Sequence, residues 1–172
     1  MAEPEEIMWA GKFVTAKRRG KWEYVARSRG IRAAVILAIE DGDVLLVEQY
    51  RVPLGRNCIE LPAGLIGDHD AHEDALTSAG RELEEETGHR ADRLEDLGAF
   101  HSSPGLVSES FTLIRAHGLT KVSEGGGVDG ENITVHRIAL EHLPKFIADK
   151  RAEGCAVDVK LLMLPGMIDF VG

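Results

Sequence analysis

Between Arg81 and Gly88 the chain reads RELEEETG, and three of its carboxylates are spaced to act together. On a helix Glu82, Glu85 and Glu86 stand at i, i+3 and i+4 and share one face. Glu82 and Glu86 form a like-charge pair, which destabilises an isolated helix by roughly 0.2–0.5 kcal/mol. Ala75 and Ala79 continue the stripe toward the N-terminus and leave room above the acids. An acidic face beside small residues suits a hard cation, since Mg²⁺ is held by one or two carboxylates together with water and substrate phosphates. Glu-rich helices are more often plain solvated faces, so composition alone favours the simpler reading. The wider spacing decides otherwise. Gly67, Glu73, Arg81, Glu82, Leu83, Glu85, Glu86 and Gly88 fit Gx5Ex7REUxEExG, where U is a bulky apolar residue. Eight fixed positions are far more specific than a lone GxGxxG.

This pattern resembles the Nudix box, the signature of the Nudix hydrolases. One position departs from it: His89 stands where the family usually has an aliphatic residue, a packing position rather than a chemical one. The resemblance implies an α/β fold, a Nudix-type α/β/α sandwich with a mixed sheet. It implies a Mg²⁺ site, with Mn²⁺ as a substitute, made by Glu82, Glu85, Glu86, the backbone carbonyl of Ala63 and Glu131. Arg81 would orient these ligands by pairing with Glu73 or Glu85. Three further segments are similar to the ADP-ribose pyrophosphatases of the family: Glu60–Ile66 (ELPAGLI), Glu48–Arg51 (EQYR) and Pro104, which follows Gly88 by 16 residues. By that likeness Arg51, Glu60 and Pro104 belong to the substrate site, with Arg51 on the diphosphate. Trp22, Glu23 and Arg27 match an N-terminal segment in which the Trp stacks on adenine, the Glu reads its edge and the Arg reaches the phosphates, often across a dimer interface. Asp129 and Glu131 stand where relatives carry a loop acid that serves as general base or extra metal ligand.

The reading is a hydrolase of the diphosphate bond in a small nucleoside diphosphate derivative, foremost ADP-ribose, giving AMP and ribose 5-phosphate. Glu85, Glu131, Asp129 and Arg81 are its candidate catalytic residues. Two alternatives stand beside it. One is the same chemistry on another nucleoside diphosphate sugar or NADH. The other is a Nudix-fold nucleotide-binding regulatory module without turnover, against which the intact box counts.

These residues need elements to hold them. Ile7–Arg18 reads as a strand and Lys21–Arg27 as its hairpin partner around Arg19-Gly20. Arg32–Glu40 is an apolar strand, and Asp41-Gly42 predicts a hairpin into Val44–Tyr50. Cys58–Leu61 is a short strand, and the box helix is expected from about His72 to Thr87, closed by Gly88. Arg93–Phe100, Ser110–His117 and Asn132–Ala139 read as strands, and Glu124–Gly130 as a flexible loop. Its GxGxxG string (Gly125, Gly127, Gly130) precedes a strand, which excludes a dinucleotide-binding turn. Glu141–Ala152 and Asp158–Val171 are expected helices, the second interrupted at Pro165-Gly166. Residues 1–30 are assigned to a dimerising extension and 31–172 to the catalytic domain.

Composition bounds the rest. A chain of 172 residues, 44% hydrophobic and 28% charged, is an ordinary globular domain. Its net charge of −9 argues against a nucleic-acid partner, which needs a basic footprint. Cys58 and Cys155 have neither zinc-site nor disulfide-framework spacing, and His69 and His72 make too weak a pair for a metal centre. Without a readable signal peptide or an apolar run long enough to span a bilayer, no membrane association is expected and the reading is a cytoplasmic homodimer.

Overall fold

The computed structural model describes residues 3–28, 31–66, 74–128 and 130–164. At its centre lies a strand that is apolar on both faces, β4 (Arg32–Glu40). Ala34, Ile36 and Ala38 point into one core and Val35 and Leu37 into the other, the two-residue period of a strand buried on both sides. The chain turns at Asp41-Gly42 into β5 (Asp43–Arg51). Asp41 (φ 53°) and Gly42 (φ 82°) are both left-handed, as a type I′ hairpin turn requires.

From that hairpin the sheet grows in two arms. β5 lies between β6 (Arg56–Glu60) and β10 (Thr134–Ala139), both antiparallel to it, and β11 (Ala156–Val157) extends β6 in parallel. The first half of β4 pairs with β7 (Ala63–Ile66), and its other edge runs parallel to β9 (Ser110–Lys121). β8 (His89–His101) closes that arm antiparallel to β9. Among the described residues the result is one mixed sheet of eight strands.

Helices cover both of its faces. α1 (Ala75–Thr87) inserts Ala79 and Leu83 against Ile36, Leu45, Ile66 and Ile114. The alanines at 34, 38 and 116 keep that strand surface low, so the helix can come close. α2 (Leu143–Ala152) and a 3-10 turn at Val159–Met163 cover the opposite face with Leu143, Ile147, Leu161 and Leu164. This is the expected α/β/α sandwich. Asp74 caps α1, its side chain accepting from the N–H groups of Leu76 (2.9 Å) and Thr77 (3.0 Å). Gly88, at φ 72°, ends it in the left-handed conformation that glycine adopts without strain. Gly67, His69, His72 and Glu73 lie outside the described residues.

The expected long first strand is two strands. β1 (Glu5–Ala10) and β2 (Val14–Arg19) are separated at Gly11, whose N–H donates to the Val14 carbonyl (2.9 Å) and turns the chain. With β3 (Trp22–Arg27) they form a separate three-stranded antiparallel sheet, so the hairpin read from sequence is its second half. The free edge of β3 joins this sheet to the body. The Val25 N–H donates to Leu106 (3.0 Å), and the Ser108 N–H donates back to Val25 (2.9 Å). The expected helix at Asp158–Val171 is, up to Leu164, only the 3-10 turn. Inward residues at i and i+3, here Leu161 and Leu164, serve either geometry. Among the described residues no helix is long and apolar enough to cross a membrane.

Candidate active site

α1 turns Ala79 and Leu83 into the core, and this rotation points Glu82, Glu85 and Glu86 toward β7 and the start of β4. There they line a cavity of about 540 Å³ with Arg81 from the same helix, Arg51 from β5, Arg27 from β3, Ala63 and Gly64 from β7, and Glu131. The sequence assigned Arg27, Arg51, Ala63, Arg81, Glu82, Glu85, Glu86 and Glu131 to one site, and the fold brings all eight to one cavity.

Their environments differ. Glu86 is only 5% exposed. Burial pushes its carboxyl up to about 8; the Ala63 N–H opposes this, the negative charges of Glu82 and Glu131 add to it, and Arg51 opposes it. The Ala63 N–H donates to Glu86 Oε2 at 3.0 Å, which fixes the carboxylate against the start of β7. Glu82 is also raised by burial, with Arg81 opposing and Glu85 adding. Arg81 Nη1 donates to Glu85 Oε2 (3.0 Å), and its Nη2 lies 3.0 Å from Glu82 Oε1, so one guanidinium spans both carboxylates. The pairing with Glu85 expected of Arg81 is present; Glu73 lies outside the described residues.

The two arginines expected on the diphosphate each rest on a glutamate. Arg51 makes a bidentate pair with Glu60, at 2.6 and 2.9 Å. Arg27 Nε lies 2.5 Å from Glu109. Glu60 therefore stands behind Arg51 and lines an adjoining cavity rather than this one. Glu109 was not legible beforehand, since 82 residues separate it from Arg27 and no local pattern marks it. Ala33, Gln49, Leu65 and Val128, given no role from sequence, also line the cavity.

Glu131 comes from a loop that the sequence read as flexible. The first part of that loop is docked on the end of α1. The N–H groups of Gly126 and Gly127 donate to the carbonyls of Glu86 and Glu85, each at 2.9 Å, and Val122 and Ser123 donate to Gly88. These carbonyls would otherwise be unpaired at the helix end. Glu131 Oε2 in turn accepts from the Val128 N–H at 3.0 Å. Asp129 lies outside the described residues.

Trp22 and Pro104 meet in a second cavity, about 610 Å³, with Tyr24, Arg19 and Val107. Trp22 is 61% exposed. Glu23 is exposed on β3 and lines neither cavity.

The donor set of the first cavity is wholly oxygen, the chemistry preferred by Mg²⁺ and Mn²⁺ over softer ions. Among the described residues no three acids or histidines are gathered tightly enough to grip an ion as they stand. Arg81 occupies the side chains of Glu82 and Glu85. A dication would fit by displacing that guanidinium and restoring the ionised form of Glu86.

Comparison with known proteins identifies the family. The NUDIX domain family pattern matches residues 29–153. The chain is 37% identical to the methanol dehydrogenase activator of Bacillus methanolicus over 119 residues, 69% of this chain and 63% of the relative. It is 34% identical to the ADP-ribose pyrophosphatase of Bacillus subtilis over 118 residues, 68% of this chain and 62% of the relative. The alignment thus spans under two thirds of the length of each of these relatives. A solved structure described as an ADP compounds hydrolase superposes with a TM-score of 0.73 over 100% of this chain and 95% of its own, at 22% identity, and so shares the fold. The matched pattern covers well over half of the 172 residues and includes the acidic helix with the strands that face it, and the chain belongs to the NUDIX family.

Proposed function

We propose that this protein hydrolyses the diphosphate bond of a nucleoside diphosphate derivative, ADP-ribose foremost, to AMP and ribose 5-phosphate. One observation carries the reading: three carboxylates of a single helix share a cavity with Arg27, Arg51 and Glu131. Such a cavity presents anionic groups for a metal and cationic groups for phosphate side by side. Glu82, Glu85 and Glu86, with the Ala63 carbonyl and Glu131, would hold Mg²⁺. Mg²⁺, when bound, neutralises the diphosphate and lowers the pKa of a coordinated water.

The chain's own residues supply the rest. Arg51, locked by two hydrogen bonds to Glu60, presents its remaining N–H groups to a phosphate oxygen. Arg27 reaches the cavity from β3 and exchanges Glu109 for the second phosphate. Arg81 holds Glu82 and Glu85 on the cavity side of α1, where they would be available to a metal ion. Glu131, aimed by the docked glycine loop, takes the proton of the attacking water, with Asp129 of the same loop and the box glutamate Glu85 as the other candidate bases. Trp22 and Pro104 receive the base. The protein is read as a cytoplasmic homodimer in which residues 1–30 make the dimerising extension.

The test is steady-state hydrolysis of ADP-ribose, GDP-mannose, NADH and ADP-glucose with Mg²⁺, Mn²⁺ or a chelator. Metal-dependent release of AMP, fastest from ADP-ribose, is expected. Tight nucleotide binding with no turnover in any metal would overturn it in favour of a regulatory module.

A further inference from the structure

Gly64 stands on β7 opposite Ala34, in ordinary extended pairing with β4. Its φ lies outside the positive region, so the backbone there does not by itself demand glycine. The space above it does. A Cβ built on Gly64 would lie 2.0 Å from the carboxyl carbon of Glu82, 2.1 Å from its Cγ and 2.2 Å from its Oε1. Glu82 therefore rests its side chain directly on the bare backbone of β7. Glycine inside a strand marks a site where another group must approach closely. The side chain so accommodated is only 16% exposed, and Arg81 closes over it at 3.0 Å. On the residue before Gly64, the Ala63 N–H holds Glu86. Two adjacent residues of one strand thus seat two acids of the helix, one by hydrogen-bonding and one by having no side chain.

We infer that Gly64 is a positioning residue for metal binding: its missing side chain makes the slot that seats the Glu82 carboxylate. This rests on the metal-site reading above and deepens it. Any side chain at 64 turns Glu82 out toward solvent, while the strand and the core beneath stay as they are. The three atoms nearest the added Cβ all belong to Glu82, a flexible side chain, so the loss falls on function before the fold.

A double-mutant cycle in the full-length chain tests this, using Gly64→Ala, Glu82→Gln and both together. Mn²⁺ affinity is read by the paramagnetic resonance of free Mn²⁺, kcat and KM with ADP-ribose, and thermal stability without metal. Gly64→Ala is expected to keep the wild-type midpoint within a few degrees. It should weaken Mn²⁺ about fivefold or more and lower kcat about 10- to 100-fold, with KM little changed. The double variant should be no worse than Glu82→Gln alone, because the seat is of no use once the charge is gone. Wild-type Mn²⁺ affinity in Gly64→Ala, or losses that multiply in the double variant, would overturn the assignment. So would a Gly64→Ala chain that fails to fold, since the clash would then lie in the packing and not at Glu82. If the wild type hydrolyses none of the substrates yet the Mn²⁺ cycle behaves as described, the positioning role stands and the enzymatic reading fails.

Discussion

Glu86 is the most deeply buried acid of the site, and its burial works against the charge that a metal ligand needs. Without a cation the carboxyl meets that conflict by holding its proton, and a bound cation would restore the charge. Glu86→Gln is accordingly expected to lower kcat by on the order of 10²-fold or more, the scale of losing a main electrostatic stabiliser. In chelator at pH 8 the same variant should melt no lower than the wild type, because an amide in that position carries no charge to bury. Near-normal turnover in a folded Glu86→Gln protein would remove it from the metal site. Arg81 has the complementary part. Touching both Glu82 and Glu85, it offsets their mutual repulsion while no ion is bound.

Two elements hold the site together by contacts that local sequence does not announce. The glycine loop is seated on the C-terminus of α1. A Cβ on Gly125 would fall 2.5 Å from the Thr87 carbonyl carbon and 2.6 Å from the Glu86 oxygen, and its φ is 67°. Gly125→Ala is expected to lift the loop from the helix, destabilising by at least about 1 kcal/mol, the scale for alanine forced to positive φ. Because Glu131 rides on the same loop, kcat should fall too; unchanged kcat would separate loop docking from catalysis. The other element is Glu48 on β5, read from sequence as part of a substrate segment. It ties the β5 arm of the sheet to α2. Its carboxylate accepts from Asn57 of β6 (2.8 Å) and lies 3.0 Å from both His136 of β10 and Lys150 of α2. Burial opposes its ionisation, but hydrogen bonds from Asn57, Lys150 and His136 outweigh it and hold the carboxyl at about 2. A folded-state value below the ordinary 4.5 means that this stabilisation is complete above pH 4.5 and is lost as pH falls toward 2. Denaturant midpoints measured over that window should fall in the wild type and fall less in Glu48→Gln. At pH 7 that variant should be less stable by about 1–3 kcal/mol, the cost of breaking a charged hydrogen-bond hub.

At the scale of the whole molecule, the N-terminal sheet is joined to the body through the edge of β3 and the Arg27–Glu109 pair. Ile7, Met8, Trp9, Phe13 and Trp22 remain exposed on it. Aromatic side chains are a small share of this chain, 5%, and large ones are typical interface anchors. On these grounds the homodimer is kept as a proposal, with the extension of one subunit completing the other's base-binding site. Deleting residues 1–27 should dissociate the dimer and abolish base selectivity. Trp22→Ala should raise KM for ADP-ribose about tenfold with little change in kcat, since stacking is worth about 1–3 kcal/mol per base and is lost equally from ground and transition states. A monomer in native mass spectrometry, or an unchanged KM, would count against the arrangement.

The sequence by itself determined the parts that depend on near neighbours. Helix periodicity set the shared face of Glu82, Glu85 and Glu86 on α1. Asp41-Gly42 set the β4–β5 turn because few residue pairs tolerate two left-handed conformations, and Gly88 set the end of α1 for the same reason. The apolar pattern gave β4 and α2 but could not tell a helix from a single 3-10 turn at Leu161 and Leu164. Nor did it show that Gly11 divides the first strand, since that turn is closed by one backbone hydrogen bond. Everything that joins distant segments was decided only by the tertiary structure. It paired Arg27 with Glu109, docked the glycine loop on the carbonyls of α1, and laid Glu82 on Gly64. It also set Glu48 in the joint between β5 and α2. The physical reason is common to these cases: burial and hydrogen-bond partners are properties of the assembled surface, and a residue's neighbours across the sheet leave no periodic trace in its own stretch of chain.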